Sequence, residues 1–381
     1  MPGRDVVVVG AGVAGAVAAR DLATDHDVTV LEASGVAAEA TGRSAGLIAP
    51  TLFFGDDPAV ARHATEFFRS FDGTAQFELT ERDRVDLVTA GERPEAEATA
   101  ERRSAAGFPV SFLEPEEVAE RYPRFHADRF AGAVEYRDTG WVDPYSYANA
   151  HVGEARERGA TVRTGVTVTD VAVDGGAVAG VETTDGPVAA DAVVVAAGWR
   201  TRELLADHLP LPVRPYRTQC VVLEPGEPLG PEFPLARIGS EHLYIRPEHN
   251  GDLLVGGGRD LLDAPETASP DADAAFTREI AVRLPELVSG FEDAGVVNGW
   301  AGVDGATPDA YPIVDAPAEA PDGLVVATGF NGLGVMISPV VGPAVRALLG
   351  GDPAPFPLAP FALDRLDTRS ASFPLHSTSD V

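Results

Sequence analysis

Apolar residues along this chain change period several times, and each change marks an element. Residues 5–10, DVVVVG, form an unbroken apolar run of the kind a strand buried on both faces requires. Gly12 to Ala23 then carries the small residues of a tightly packed helix, and Val28 to Glu32 supplies a second strand. Val60, Ala64, Phe67, Phe68 and Phe71 recur at helical spacing, which predicts a helix over 58–71 with His63 at its surface or core edge. Between 80 and 140 the pattern breaks into short charged helices separated by Pro and Gly turns. A helix is predicted from Asp143 to about Gly159, with Glu154 and Arg158 one turn apart. Three strands at hairpin spacing follow, punctuated by DGG at 174 and DG at 185, and lead into the apolar ADAVVVAAG that ends at Gly198. From Val213 to about Gly258 the pattern is again that of strands, with an HNG turn at 249. A helix near 273–289, a strand into NGWAGV, and a strand, glycine loop and helix over 323–351 close the ordered pattern.

The first three elements make a βαβ unit with Gly10, Gly12 and Gly15 in GxGxxG spacing and Glu32 at the end of the second strand. The first glycine permits the tight turn, the second lets backbone amides, those of Val13 and Ala14 among them, approach a pyrophosphate, and the third lets helix pack on strand. Glu32 can accept from ribose hydroxyls and would repel a 2′-phosphate, which disfavours NADP. The fingerprint suits NAD and FAD alike. A nicotinamide enzyme would continue with further βα units, whereas here a meander interrupts the unit and nucleotide-side strands return only near 190 and 324. That interleaving favours FAD.

With 381 residues, two domains are expected. The chain carries 59 acidic and 29 basic residues, a formal charge of −30, and every basic residue is arginine. Such a surface repels nucleic acid and anionic membranes and fits a protein at work in concentrated salt, where counterions screen self-repulsion. No apolar run is long enough to insert in a membrane, and the N-terminus lacks the features of a secretory signal, so a cytoplasmic protein is expected. Without lysine no side-chain Schiff base can form. The single cysteine, Cys220, allows no internal disulfide and no thiolate-rich metal site, no metal centre is expected, and the residue reads as a small buried hydrophobe.

These stretches together resemble the D-amino-acid oxidase-like flavoproteins, the group that includes glycine oxidase, sarcosine oxidase and the beta-type flavin subunits of heteromeric sarcosine oxidases and proline dehydrogenases. The resemblance rests on the GxGxxG unit ending in VLEA, on TGRSAGLI, VDPYSYANA, VVVAAGWRTREL and RPYRTQ. It continues through LYIRPEHNGDLLVGGG, WAGVDGATPDAYPIVD, GLVVATGFNGLGVMISPVVG and PFALDRL, and so spans 5 to about 365. It implies an α/β fold with an α+β substrate domain: a discontinuous Rossmann-like FAD-binding domain (1–80, 141–212 and 300–352) interleaved with an antiparallel-sheet substrate domain (81–140 and 213–299). A C-terminal extension, 353–381, rich in Pro and Asp, is expected to be disordered from about 367.

Matched residue by residue, the resemblance gives Glu32 and Ala33 the ribose contact. Arg43, Ser44, Ala45, Gly46 and Leu47 match the loop along pyrophosphate and flavin, and Val168 the adenine grip. Ala197, Gly198 and Trp199 match the second nucleotide-side turn, with Gly302 beside the flavin. Asn331, Gly332, Leu333, Gly334, Val335 and Met336 match the glycine loop whose amides face the pyrimidine end. Neither the cysteine nor the histidine through which some relatives attach flavin is present, so non-covalent FAD is expected. The chain has Leu253 and Leu254 where some oxidases place an oxygen-activating lysine, which tilts the expectation from O2 towards a carrier as electron acceptor. Asp304 stands where glycine-oxidase-like relatives carry a carboxylate-clamping arginine, and Met336 where sarcosine oxidases use a lysine.

Arg246 in LYIRP is the candidate replacement anchor, because strand alternation puts it on the face of Tyr244; an outward arginine paired to a surface carboxylate is the competing reading. His242 would share that face or be an exposed strand histidine. Asp304 could favour a cationic amine, and Asp309 is expected to support structure or cofactor. The expected chemistry is oxidation of the C–N bond of a small amine or amino acid by hydride transfer to the flavin. The alternatives are a 2-hydroxyacid or glycerol-phosphate type dehydrogenase, and an electron-relaying flavin subunit of a heteromeric complex; the chain could also form homo-oligomers.

Overall fold

The computed structural model describes residues 3–71 and 77–375. Two sheets organise it. The first has six strands in the order Ile313–Asp315, Leu324–Thr328, Ala192–Val195, Asp5–Val9, Asp27–Glu32 and Thr161–Thr164. All its pairings are parallel except that between the first two strands. Its central strands are apolar at nearly every position because both faces are covered. Val6, Val8, Val28, Val30, Val194 and Val325 pack on the helix side, and Val7, Val9, Leu31, Val193, Val195 and Val326 on the other. The helices Val13–Leu22, Pro144–Glu157 and Val341–Leu348 supply the first of these layers. Asp143 starts the second of them by accepting Ser146 N at 2.7 Å.

The second sheet has eight strands, in the order Gly295–Ala306, Arg214–Glu224, Leu253–Leu261, Leu243–Pro247, Leu235–Ile238, Arg84–Val88, Gly132–Tyr136 and Val110–Leu113. It is antiparallel except where Leu235–Ile238 runs parallel to Arg84–Val88. Alternation gives it two faces. Val85, Leu87, Val221, Ile245, Leu253 and Val255 enter a core closed by the helices Pro115–Arg121 and Ala274–Arg283, while Arg84, Arg237 and Tyr244 rise on the opposite side.

Two expectations are corrected. The segment between 80 and 140 holds the expected charged helices, Arg93–Ala105 and Pro115–Arg121, but also contributes three unexpected strands of the large sheet, the first because Val85 and Leu87 alternate with Arg84 and Asp86 in a run whose charges obscured the period. The tail is not disordered from 367: Phe373 is buried against Tyr216 and Ala306, and the Arg214 guanidinium donates to its carbonyl. Residues 376–381 of that expected tail lie outside the described residues, as do 72–76. The strand Gly295–Ala306 also crosses the expected domain boundary at 300. Among the described residues no helix is long and apolar enough to cross a membrane.

Candidate active site

One elongated cavity of about 470 Å³ runs from the glycine turn to the polar face of the large sheet. At its first end Gly10, Gly12, Val13 and Ala14 face Glu32, Ala33 and Val168. The three glycines do different things. Gly10 has φ +101°, and a Cβ there would stand 2.5 Å from the Ala196 carbonyl oxygen. A Cβ on Gly15 would stand 2.0 Å from the Gly10 carbonyl, so Gly15 lies behind the turn and lets the helix close on the strand; it does not line the cavity. At Gly12 a Cβ would meet only the Thr41 hydroxyl, at 3.3 Å, and would otherwise fill the cavity. The helix behind has no acidic residue in its first turn, which leaves its N-terminal amides and dipole open to an anion. Thr41 Oγ1 accepts from Val13 N at 3.0 Å. The Glu32 carboxylate accepts from Ala11 N at 2.7 Å and Ser34 N at 2.8 Å, which fixes it at the strand end with further lone pairs free for hydroxyl donors.

The middle of the cavity is lined by Arg43 to Leu47, by Ala197 to Trp199, by Gly302 to Asp304 and by Gly332 to Met336. Arg43 is held at both ends: its guanidinium donates to the Ala301 carbonyl at 3.2 Å and its carbonyl accepts from the Trp300 indole at 2.8 Å. Asn331 is fully buried and does not line the cavity. It sits at φ +52°, its Oδ1 accepts from Thr307 N at 3.1 Å, and its Nδ2 donates to Thr307 Oγ1 and to the Gly329 carbonyl. It therefore clips the loop into shape while Gly332 to Met336 present themselves. Asp304 accepts from Gly305 N and Gly332 N, and burial raises its pKa. A carboxylate turned onto the loop amides is not a clamp for a substrate acid.

At the far end Tyr244 lies flat on the neighbouring strand. A Cβ on Gly256 would fall 2.0 Å from the Tyr244 ring, so the glycine is the slot in which the ring lies. The phenol meets Cys220 Sγ at 3.4 Å, and burial pushes the Tyr244 hydroxyl up and the Cys220 thiol up to about 11. Both stay protonated at neutral pH. Cys220 is buried beside Ala45, Val222 and Leu254, as a small hydrophobe would be.

The two other expected substrate residues are displaced. Arg246 is on Tyr244's face but does not line the cavity: its guanidinium donates to the Ala45 carbonyl, pairs with Glu248 and lies 5.8 Å over the Trp141 ring. It grips the cavity-lining loop from behind, and the one nitrogen it leaves unpartnered, Nε, is buried away from the cavity and cannot meet a substrate carboxylate. His242 is exposed, at φ +54°, one residue before the strand begins, so the alternation that would have put it beside Tyr244 fails there. Arg84, Arg237, Leu52, Phe53, Tyr216 and Thr218 line the cavity and were not singled out from sequence. The alternation of Arg84 and Asp86 with Val85 and Leu87 was the available signal.

An extended dinucleotide fits this cavity on its own features: a glycine whose Cβ would fill the space, open helix amides and a fixed carboxylate at one end, and a glycine loop at the other. The geometry defines a flavoprotein oxidoreductase. The chain belongs to the FAD dependent oxidoreductase family, whose model matches residues 5–348, and it is an FAD-dependent oxidoreductase. It is 29% identical to the glycine oxidase of Geobacillus kaustophilus over 95% of this chain and 97% of that protein. It is 26% identical to the sarcosine oxidase subunit beta of an Arthrobacter species, over 96% and 91%. The crystal structure of the Geobacillus glycine oxidase superposes with a TM-score of 0.84 over 97% of this chain and all of that one. The L-proline dehydrogenase of P. horikoshii gives the same TM-score at 23% identity, over 96% and 99%, which shows a shared fold.

Proposed function

We propose that this protein oxidises the C–N bond of a small amine or amino acid, with Gly10, Gly12, Val13, Ala14, Glu32, Ala33, Arg43 to Leu47, Val168, Ala197 to Trp199, Gly302 and Gly332 to Met336 holding FAD non-covalently. The observation that carries the reading is the placement of Tyr244, laid in the Gly256 slot across from the Arg43–Leu47 loop, so that sheet and loop enclose a space beside the flavin end. Bound FAD supplies a hydride acceptor at N5.

The chain's own residues then have three tasks. Tyr244, Tyr216 and Met336 wall off water and hold the substrate C–H against the acceptor. The loop that Asn331 and Asp304 fix, with Gly332 N given to Asp304, ends in the first-turn amides of Gly334 and Val335, which line the end of the cavity where negative charge develops. The substrate nitrogen enters as the neutral amine, so its lone pair forms the C=N bond as hydride departs, and water then converts the iminium to a carbonyl compound and a protonated amine. No protein base is required. Oxidation of a hydroxyl would need one, and among the described residues no histidine lines the cavity.

The electron acceptor is a carrier in preference to O2, because Leu254 packs into an apolar cluster with Ala45, Cys220 and Val222 and the chain has no lysine to place there. Steady-state turnover with an artificial acceptor, scored by carbonyl product and released amine, tests the reading. Both products in equal amount support it, and an alcohol substrate that gives carbonyl without amine refutes it.

A further inference from the structure

Two arginines of the cavity lining, Arg84 and Arg237, are not among the residues assigned above to FAD. Arg84 alternates with Val85 and Leu87, which enter the core, so its side chain rises on the cavity face. That side chain is only 6% exposed, and its Nε donates to Asp86 Oδ1 at 2.6 Å. Its two terminal nitrogens have no hydrogen-bond partner among the described residues, and neither is sealed off, so both open on the cavity. A guanidinium so deeply buried with its terminal edge unmet is costly until an anion arrives. Asp86 holds the Nε edge and thereby aims the terminal edge, the one that takes a planar carboxylate in two parallel hydrogen bonds. Arg237 lines the same cavity from the next strand, directly across from Asp86.

The register sets the reach. Tyr244 lies opposite Arg237, and Arg237 opposite Asp86, two residues along from Arg84. With strands about 4.8 Å apart and a rise of about 3.4 Å per residue, the Arg84 backbone stands roughly 12 Å from that of Tyr244. Asp304, by the glycine loop, is on a strand five places away in the sheet. An acid held by Arg84 is therefore several bonds from a carbon presented beside Tyr244, whereas the carboxylate of glycine is one bond from its oxidised carbon. We propose that Arg84 is the anion anchor of the substrate cavity, and that the substrate is an amine bearing a carboxylate remote from the carbon that is oxidised. This rests on the amine-oxidation reading above.

The test uses the FAD-loaded protein in concentrated KCl and two inert acids, acetate and glutarate, whose binding is followed by the change in visible flavin absorbance. Glutarate is expected to bind at least tenfold more tightly than acetate. Arg84→Met should weaken glutarate about tenfold or more at unchanged flavin content, as loss of a charged hydrogen-bond pair implies. Arg84→Lys keeps a charge beside Asp86 but not the fork, and should weaken glutarate about fivefold. Should the Met variant not fold, the Lys variant alone decides. Equal affinities for the two acids, or wild-type glutarate affinity in the folded variants, overturns the anchor while leaving the flavoenzyme intact. A protein that takes up no FAD overturns the amine-oxidation reading itself, and the anchor with it.

Discussion

Gly256→Ala is a one-methyl change with a defined geometric consequence. The added Cβ would stand 2.0 Å from Tyr244 Cζ, 2.2 Å from Cε2 and 2.3 Å from the hydroxyl, against ordinary contacts of about 3.5–4 Å. The ring must therefore move by roughly 1.5–2 Å. It has somewhere to go, because the face away from Gly256 borders the cavity. Overpacking of this kind costs about 1–3 kcal/mol. Escape into open space keeps the loss near the lower end, while separation from Cys220 Sγ, now at 3.4 Å, adds part of a hydrogen bond, about 1 kcal/mol. The expected result is a stability loss of about 2 kcal/mol in urea unfolding at fixed KCl. Flavin content stays at the wild-type level, and kcat/KM falls at least tenfold because the ring now occupies substrate space. Gly153→Ala, on an open helix face with nothing within 4 Å of its added Cβ, is the control and should lose no stability. Tyr244→Ala in the Gly256→Ala background removes the clash, so the two changes should be less than additive. Wild-type stability and turnover in Gly256→Ala would refute the slot, as would strict additivity.

Four further outcomes follow from the same structure. Arg246→Met should raise the Kd for FAD about tenfold and shift the flavin absorbance band, since the Ala45 carbonyl loses its charged donor; an unchanged Kd would show that the grip on the loop does nothing for the cofactor. His151, fully buried with both ring nitrogens unpartnered and stacked on Phe71 at 4.7 Å, has its pKa held well below the ordinary value by burial, with Arg20 and Arg158 adding to the effect. The unfolded chain then binds the extra proton first, so stability is complete above about pH 6.5 and falls as pH drops below it. His151→Leu should remove up to about 1.4 kcal/mol per pH unit of that slope, and an unaltered slope would contradict it. Phe373→Ala should cost about 2–4 kcal/mol, read from the urea midpoint, whereas a loose tail would give no change. With a formal charge of −30, the unfolding midpoint should rise from 0.1 to 2 M KCl as the screening length falls from about 10 Å to below about 3 Å; a midpoint indifferent to salt would exclude self-repulsion as a major term.

The nucleotide half of the molecule was readable because its determinants are local. Gly10, Gly12 and Gly15 act within one turn, the valine runs announce strands buried on both faces, and Asp143 and Pro144 mark a helix start. The substrate half depends on which distant strands become neighbours. Arg84 and Tyr244, 160 positions apart in the chain, meet the same cavity only because Arg84–Val88 joins Leu235–Ile238 in the middle of the large sheet. Strand alternation correctly gave Arg246 and Tyr244 one face, but a face is wider than a cavity, and the Ala45 carbonyl took the guanidinium. For His242 the same rule failed because the backbone turns left-handed one residue before the strand. Asn331 lies next to the residues it was grouped with, yet its side chain turns inward to Thr307, a choice set by a partner 24 positions away.

Amine oxidation by FAD in this cavity is read out by anaerobic titration of the FAD-loaded protein in concentrated KCl, following the visible flavin band. The amines added in turn are sarcosine, glycine, proline, D-amino acids and their counterparts that carry a remote carboxylate. Stoichiometric bleaching by at least one of them is expected, fastest with a remote acid. A flavin band that none of these amines bleaches, but that a 2-hydroxy acid does, would contradict it.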